Sequence, residues 1–288
     1  MRSLSQGSNK ESFIRLIVNA DDYGYFMSVS RGILEAIKTG AITATGIMPN
    51  RNNFDVLVEK IKAFDSIDLG IHLNLTFGQP LSKELARSFE KWGGMFPGKA
   101  KLVFGILSGR IKLDHIAQEL SLQIERCLNK DLRICFLNSH EHVHMLPPIF
   151  SITLGLAKQY NIPFVRYSGA EWCGGLAGSG LLRTLVLEIF NFLNIFSKPA
   201  NSPRLIGTSA SGKLNLAYLE RRFASLKPGR IYELMCHPGF FDSEEIVDPR
   251  LIAYHHWEVE YEILQSPQMR DLCKNYGIRR IGFRDITS

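Results

Sequence analysis

Short runs rich in β-branched and aromatic residues alternate along this chain with longer runs whose apolar residues recur at helical spacing. That rhythm is the strongest constraint on its fold, because it calls for parallel strands joined by crossover helices. The strand-like runs fall at residues 15–19, 42–48, 69–75, 134–138, 164–167, 204–206, 231–235 and 279–283. Helical runs lie between them at 28–39, 54–63, 114–129, 149–160, 181–196, 214–226, 249–264 and 267–276. The helix at 114 is expected to start on Asp114 as a cap, ahead of Ile116, Leu120, Ile124 and Leu128. Eight such strands suit a single α/β barrel, and 288 residues is a fitting length for one.

Composition agrees with a packed domain. Hydrophobic residues make up 45% and charged residues 22%, which excludes wholesale disorder. The formal net charge of +6 comes from scattered Lys and Arg with no basic stripe, so no nucleic-acid partner is expected. Five cysteines, an odd number without a C-x-x-C pair, indicate neither a disulfide framework nor a zinc ribbon. Residues 1–12 read as a flexible polar tail without the apolar core of a secretory signal, and the expectation is a cytoplasmic protein. Residues 13–288 then form one domain. Two stretches interrupt its rhythm, 79–111 and 174–212, and are expected to be loop insertions over the mouth of a site.

The apolar segment 181–196 is too short to span a bilayer, since crossing takes about 20 residues, and it carries Arg183 and Glu188. Its eleven apolar residues out of sixteen leave two readings. It is either a helix covered by the barrel or by a homodimer interface, or a peripheral contact with the inner face of the membrane.

The unusual polar residues sit where strands end. Asp21 and Asp22 follow LIVNA, His72 ends LGIH, His140 follows ICFLNS, and His237 follows IYELMC. In a parallel barrel those ends meet on one face, so residues more than 200 positions apart can share a pocket. Adjacent acids past a buried strand need a cation, donors or solvent to stay ionised, although turn acids and helix caps share that pattern. His140, His142 and His144 recur every second residue, which in an extended segment would turn all three towards one ion. His72, with Asn74 and Thr76 continuing its face, and His237 in the turn HPG are each also compatible with an ordinary structural histidine.

The strings LIVNADDYG at 16–24, GIHLNLT at 70–76, NSHEHVHMLP at 138–147 and CHPG at 236–239 resemble the YdjC-like carbohydrate deacetylase family. That family includes chito-oligosaccharide deacetylases and a hopanoid-associated branch, and the likeness runs from about residue 14 to 284. It implies an irregular (β/α) TIM-like barrel of the glycoside hydrolase/deacetylase type. It also implies a divalent metal, zinc or magnesium, used to remove acetyl from an N-acetylated sugar or glycolipid. Carried over position by position, the resemblance makes Asp21 the general base and Asp22, His72 and His140 the metal ligands. His237 becomes the proton donor, with His142, His144 and Asn74 lining or orienting the site. Tyr23 stands where the family more often has Phe. Arg166, Tyr167, Trp172 and Trp92 are offered as sugar contacts near the loop mouth, since aromatic faces stack on pyranose rings. Two other readings remain open at this point: a metal-dependent phosphoester hydrolase, and a catalytically silent glycan-binding protein.

Overall fold

The structure, a computed structural model, describes residues 13–169, 171 and 179–286. Its strands are β1 (Ile14–Tyr23), β2 (Ala44–Ile47), β3 (Asp68–Leu73), β4 (Ile134–Ser139), β5 (Phe164–Val165), β6 (Arg204–Ile206), β7 (Ile231–Cys236) and β8 (Ile278–Arg280). They form one parallel sheet in the order β5-β4-β3-β2-β1-β7-β6, with β8 joined to β1. β1 is the centre of this arrangement. Arg15–Ala20 pair with Ile231–Cys236 of β7 on one edge. On the other edge its first residues take β8 and its last take β2. No pairing joins β5 to β6 among the described residues, so the curled sheet is an incomplete TIM-like barrel.

Helices cover the outer face: α1 (Met27–Lys38), α2 (Phe54–Ile61), α3 (Lys83–Ser88), α4 (Lys99–Leu107), α5 (Leu113–Leu128), α6 (Pro147–Gln159), α7 (Ser179–Leu193), α8 (Leu216–Phe223), α9 (Pro249–Tyr254), α10 (Trp257–Gln265) and α11 (Pro267–Asn275). Leu16 and Val18 of β1, Ile71 of β3 and Leu234 of β7 pack in one apolar cluster with Ile33 of α1 and Leu57 of α2. Alternate residues point inwards. Ile17, Phe136, Phe164, Ile281 and Phe283 form a second cluster, in which Phe136 and Phe283 stack at 4.4 Å. Further along β1 the same face carries Asn19 and then Asp21. The barrel interior therefore changes from an apolar plug at one end to buried polar groups at the C-terminal strand ends.

Every strand expected from the sequence is present, and three expectations are corrected. Residues 79–111 are not an irregular loop: they contain α3, a 3-10 turn at Glu90–Trp92, and α4. α5 begins at Leu113, with no side-chain cap, so Asp114 lies inside its first turn, where its charge favours the positive helix end. The helix expected over 249–264 is broken at His255 and His256 into α9 and α10.

The described part of 174–212 is likewise built mainly of α7, a 3-10 turn at Ile195–Ser197 and β6. α7 is tied to the C-terminal strand ends by Tyr167, whose hydroxyl donates to the Asn191 carbonyl at 2.8 Å, and by Asn194 Nδ2, which donates to the Met145 carbonyl at 2.8 Å. Its outward side leaves Leu185, Ile189, Phe192 and Leu193 exposed, and the 3-10 turn after it exposes Ile195 and Phe196. None of the described helices is long and apolar enough to cross a membrane. The tail 1–12 and Trp172 lie outside the described residues.

Candidate metal centre

Asp21 and Asp22 are consecutive, and in a regular strand they would point to opposite faces. The chain avoids this by a shift of register against β2 between Ala20 and Tyr23, with Asp22 in the left-handed region at φ 71°. An irregularity of this kind re-aims a side chain at a strand end, and here both carboxylates reach the barrel mouth. His72 arrives from β3 and His140 from the residue after β4. Asp22, His72 and His140 each present a ligand atom within 4.8 Å of the others, and all three are buried. His72 Nε2 lies 3.1 Å and His140 Nδ1 2.8 Å from Asp22 Oδ1. One oxygen and two imidazole nitrogens at this spacing fit a single divalent cation of the zinc type, with further positions left for other ligands. Burial alone would raise the Asp22 carboxyl, and the two rings more than offset it, holding the group well below the ordinary carboxylate range.

Asn138 organises this cluster, two residues before His140 on the inner face of β4. Its Oδ1 accepts from His72 Nδ1 at 2.8 Å, which fixes the ring so that Nε2 is free to face Asp22. Its Nδ2 donates to Asp21 Oδ1 at 2.9 Å. The arrangement crosses β2, and Gly46 makes room for it: a Cβ there would lie 3.1 Å from Asn138 Oδ1 and 3.2 Å from His72 Cβ.

Asp21 is held from the other side by Arg166. Nη1 donates to Oδ2 at 2.5 Å and Nη2 to Oδ1 at 2.8 Å. Arg166 Nε and Nη2 also donate to Glu233 Oε1, which accepts from Asn19 Nδ2 at 2.7 Å as well. Burial tends to raise the Asp21 carboxyl, yet Arg166 and then His72 bring it below its ordinary value. Arg166 is only 2% exposed and spends its donors on two carboxylates, so its place is under the site rather than against a sugar.

The H-x-H-x-H segment does not run extended. It forms a 3-10 stretch, His140–Met145, with Glu141 and His142 in the left-handed region, so the three rings diverge. Only His140 joins the ligand cluster. His142 Nδ1 meets Ser168 Oγ at 2.9 Å. His144 is buried, with Nε2 on the Arg166 carbonyl at 2.9 Å and Nδ1 on Ser139 Oγ at 2.6 Å. A carbonyl can only accept, so Nε2 carries the proton, and burial pushes the ring down to about 3. It is a neutral brace for the backbone beside Arg166.

Asn74 is also a brace. Its Nδ2 donates to Asn50 Oδ1 and the Phe77 carbonyl, while its Oδ1 accepts from the Thr76 and Phe77 amides. The loop it shapes places Phe77 against Tyr25, whose ring lies 4.7 Å from that of His140. Phe26 completes this wall, and the Arg51 guanidinium lies over Phe77 at 4.6 Å. Trp92 packs on Phe89 in the insertion, with Lys91 over its ring, and Tyr167 is buried, whereas Phe26 and Phe77 are half-exposed rings packed on Tyr25. The insertion reaches the site through Lys99, 3.0 Å from Glu141.

His237 follows β7, buried, with its backbone N–H donating to Glu260 Oε2 at 2.6 Å. The sequence reading missed Asn138, Glu233, Asn19 and Arg166 as members of one network. A signal existed for most of them, namely a polar residue at an inward position of an otherwise apolar strand.

A parallel, incomplete α/β barrel with a carboxylate and two imidazoles gathered at its C-terminal rim defines the class of protein: a barrel with a candidate metal centre. The model of the YdjC-like protein family matches residues 15–275, and the chain belongs to that family. It is 28% identical over 275 residues to a carbohydrate deacetylase of Clostridium beijerinckii, a match covering 95% of this chain and all of the relative. A carbohydrate deacetylase of Brevibacillus brevis is also 28% identical, over 273 residues. Among solved structures, an Enterococcus faecalis protein provisionally named for cellobiose-phosphate cleavage superposes with a TM-score of 0.72 at 22% identity. The superposition covers 96% of this chain and 99% of that one, and it supports the fold.

Proposed function

We propose that this chain is a metal-dependent hydrolase that removes the acetyl group from an N-acetylated sugar or glycolipid. The observation that carries the reading is the convergence of Asp22, His72 and His140 within 4.8 Å, directly beside the buried carboxylate of Asp21. The names of the relatives, carbohydrate deacetylases that match along almost the whole chain, point the same way.

An acetamide is a weak electrophile with a poor leaving group, so its hydrolysis needs a deprotonated water, a polarised carbonyl and a proton for the departing nitrogen. Asp21 is the base. Arg166 and Asn138 keep it ionised, and the same pairing makes it a weak proton acceptor, so the water must be acidified by other means. A divalent ion held by Asp22, His72 and His140 supplies this when bound, lowering the pKa of water from about 15.7 towards about 7 and polarising the acyl oxygen. His237 donates the proton to the leaving amine. The imidazole pair favours zinc over magnesium, which prefers oxygen ligands. Phe26 and Phe77 offer the apolar faces on which a sugar ring stacks.

Release of free acetate from N,N′-diacetylchitobiose, lost on chelation and restored by added metal, is the expected result. Full activity in metal-stripped protein would defeat the reading.

The exposed apolar side of α7 supports a peripheral membrane contact. Phe192, Leu193, Ile195 and Phe196 project beside Lys198, whose amine lies 5.0 Å over the Tyr167 ring at the same end as the site. Such a patch with a flanking cation suits an anionic lipid surface and a lipid-linked substrate. Flotation with anionic liposomes tests this, and a protein that stays wholly in the unbound fraction argues against it.

A further inference from the structure

The break between α9 and α10 sets a second histidine beside His237. The rings of His237 and His255 lie 5.2 Å apart at 62°, both 7% exposed. His255 is held flat on Trp257, 4.7 Å away and 13° from parallel, with the Tyr254 ring edge-on at 4.7 Å. α10 fixes the two histidines relative to each other. Glu260 accepts from the His237 backbone amide, and the Trp257 carbonyl accepts from the Gly239 amide at 3.2 Å. On the other side the His255 amide donates to the Leu251 carbonyl at 2.9 Å.

This is a costly construction for packing alone. The Nδ1 atoms of both His237 and His255 are buried without a hydrogen-bond partner among the described residues. Leaving such a group unsatisfied is costly, and two adjacent cases point to a polar ligand at this pair of rings rather than to packing alone. A phenylalanine would fill the place beside Trp257 without that penalty.

Resting on the hydrolase reading above, we infer that His255 is a substrate-binding residue: stacked on Trp257, its imidazole hydrogen-bonds the sugar next to the nitrogen that His237 serves. The chemistry suits a sugar. Burial, with His237 as the next cause, holds His255 down to about 3, so it is neutral at physiological pH. A neutral imidazole offers one donor and one acceptor, matching a hydroxyl, which also has both. The ring also feels the charges of Asp22 and His140, which places it within electrostatic reach of the cluster.

The test is binding of N,N′-diacetylchitobiose, by titration calorimetry, to full-length metal-loaded protein carrying Asp21→Asn to stop turnover. His255→Phe keeps the flat ring on Trp257 and removes both nitrogens, while His255→Gln keeps a donor and an acceptor. The expected result is binding at least 10-fold weaker with Phe and largely recovered with Gln, at unchanged metal content. Equal affinity in the Phe variant, no recovery with Gln, or no binding even before His255 is changed overturns the inference. Acetate release by the wild-type protein is read separately, so that a failure of the hydrolase reading is not confused with a failure of this one.

Discussion

Arg166 grips Asp21 with both terminal nitrogens, at 2.5 and 2.8 Å, from a position two strands beyond β3 and inside the barrel. The same guanidinium bridges to Glu233, so one buried cation sits between two carboxylates. The proposed base is thus part of the structural core as well as of the chemistry, and the two roles can be separated by mutation.

Replacing Arg166 with Leu leaves Asp21 and Glu233 buried without their counter-charge. Removing one partner of such a pair costs about 3–5 kcal/mol. Urea unfolding should show a loss of that order, and a variant as stable as wild type would mean that water, not Arg166, neutralises the pair.

Base and ligand roles give different signatures. Asp21→Asn should retain metal, measured by elemental analysis, and lose at least about 100-fold in acetate release, the usual scale for a general base. His72→Ala and His140→Ala should lose both metal and activity. Metal retained at wild-type stoichiometry in both alanine variants would exclude the cluster as the binding site.

Gly46 separates fold from site in another way. A valine there presses on Asn138 and His72, since a Cβ at residue 46 already lies 3.1 Å from Asn138 Oδ1 and 3.2 Å from His72 Cβ. Gly46→Val should weaken metal binding although residue 46 is not a ligand, and unaltered metal affinity would show that the strand yields elsewhere.

Acid should destabilise the protein in a window set by buried neutral histidines. His144 and His255 are both pushed down to about 3 in the folded state, against about 6.5 in the unfolded chain. Over that interval the unfolded chain binds protons that the folded one does not, so stability present above about 6.5 is lost as pH falls. Asp21, lowered below its ordinary value, adds to the loss only in stronger acid. The melting temperature should fall between pH 7.5 and 5, and less steeply for His255→Phe. Parallel curves for the two proteins would remove His255 from this account.

Most strands were legible in the sequence because they are buried on both faces and read as apolar runs between turn residues, as in β7, IYELMC. The strand-end residues Asp22, His72 and His140 were legible for the same reason, since polarity at the end of such a run is conspicuous. What could not be read was local backbone geometry. Strict alternation placed His142 and His144 with His140, but the left-handed turn at Glu141 and His142 separates them. The break before Trp257 was equally hidden, since the apolar spacing of 249–264 continues through it, and with it His255. Arg166 looked like a surface contact because its partners, Asp21 and Glu233, lie 145 and 67 residues away.

The left-handed backbone at Asp22 limits what can ever stand at that position. Aspartate and asparagine tolerate φ near +70° far better than β-branched or bulky residues do. Asparagine alone among close substitutes keeps the local shape while discarding the charge. A descendant of this chain that abandoned the proposed ion could therefore preserve its architecture through one amide exchange, and Asp22→Asn offers the gentlest way to silence the candidate centre without disturbing the rim.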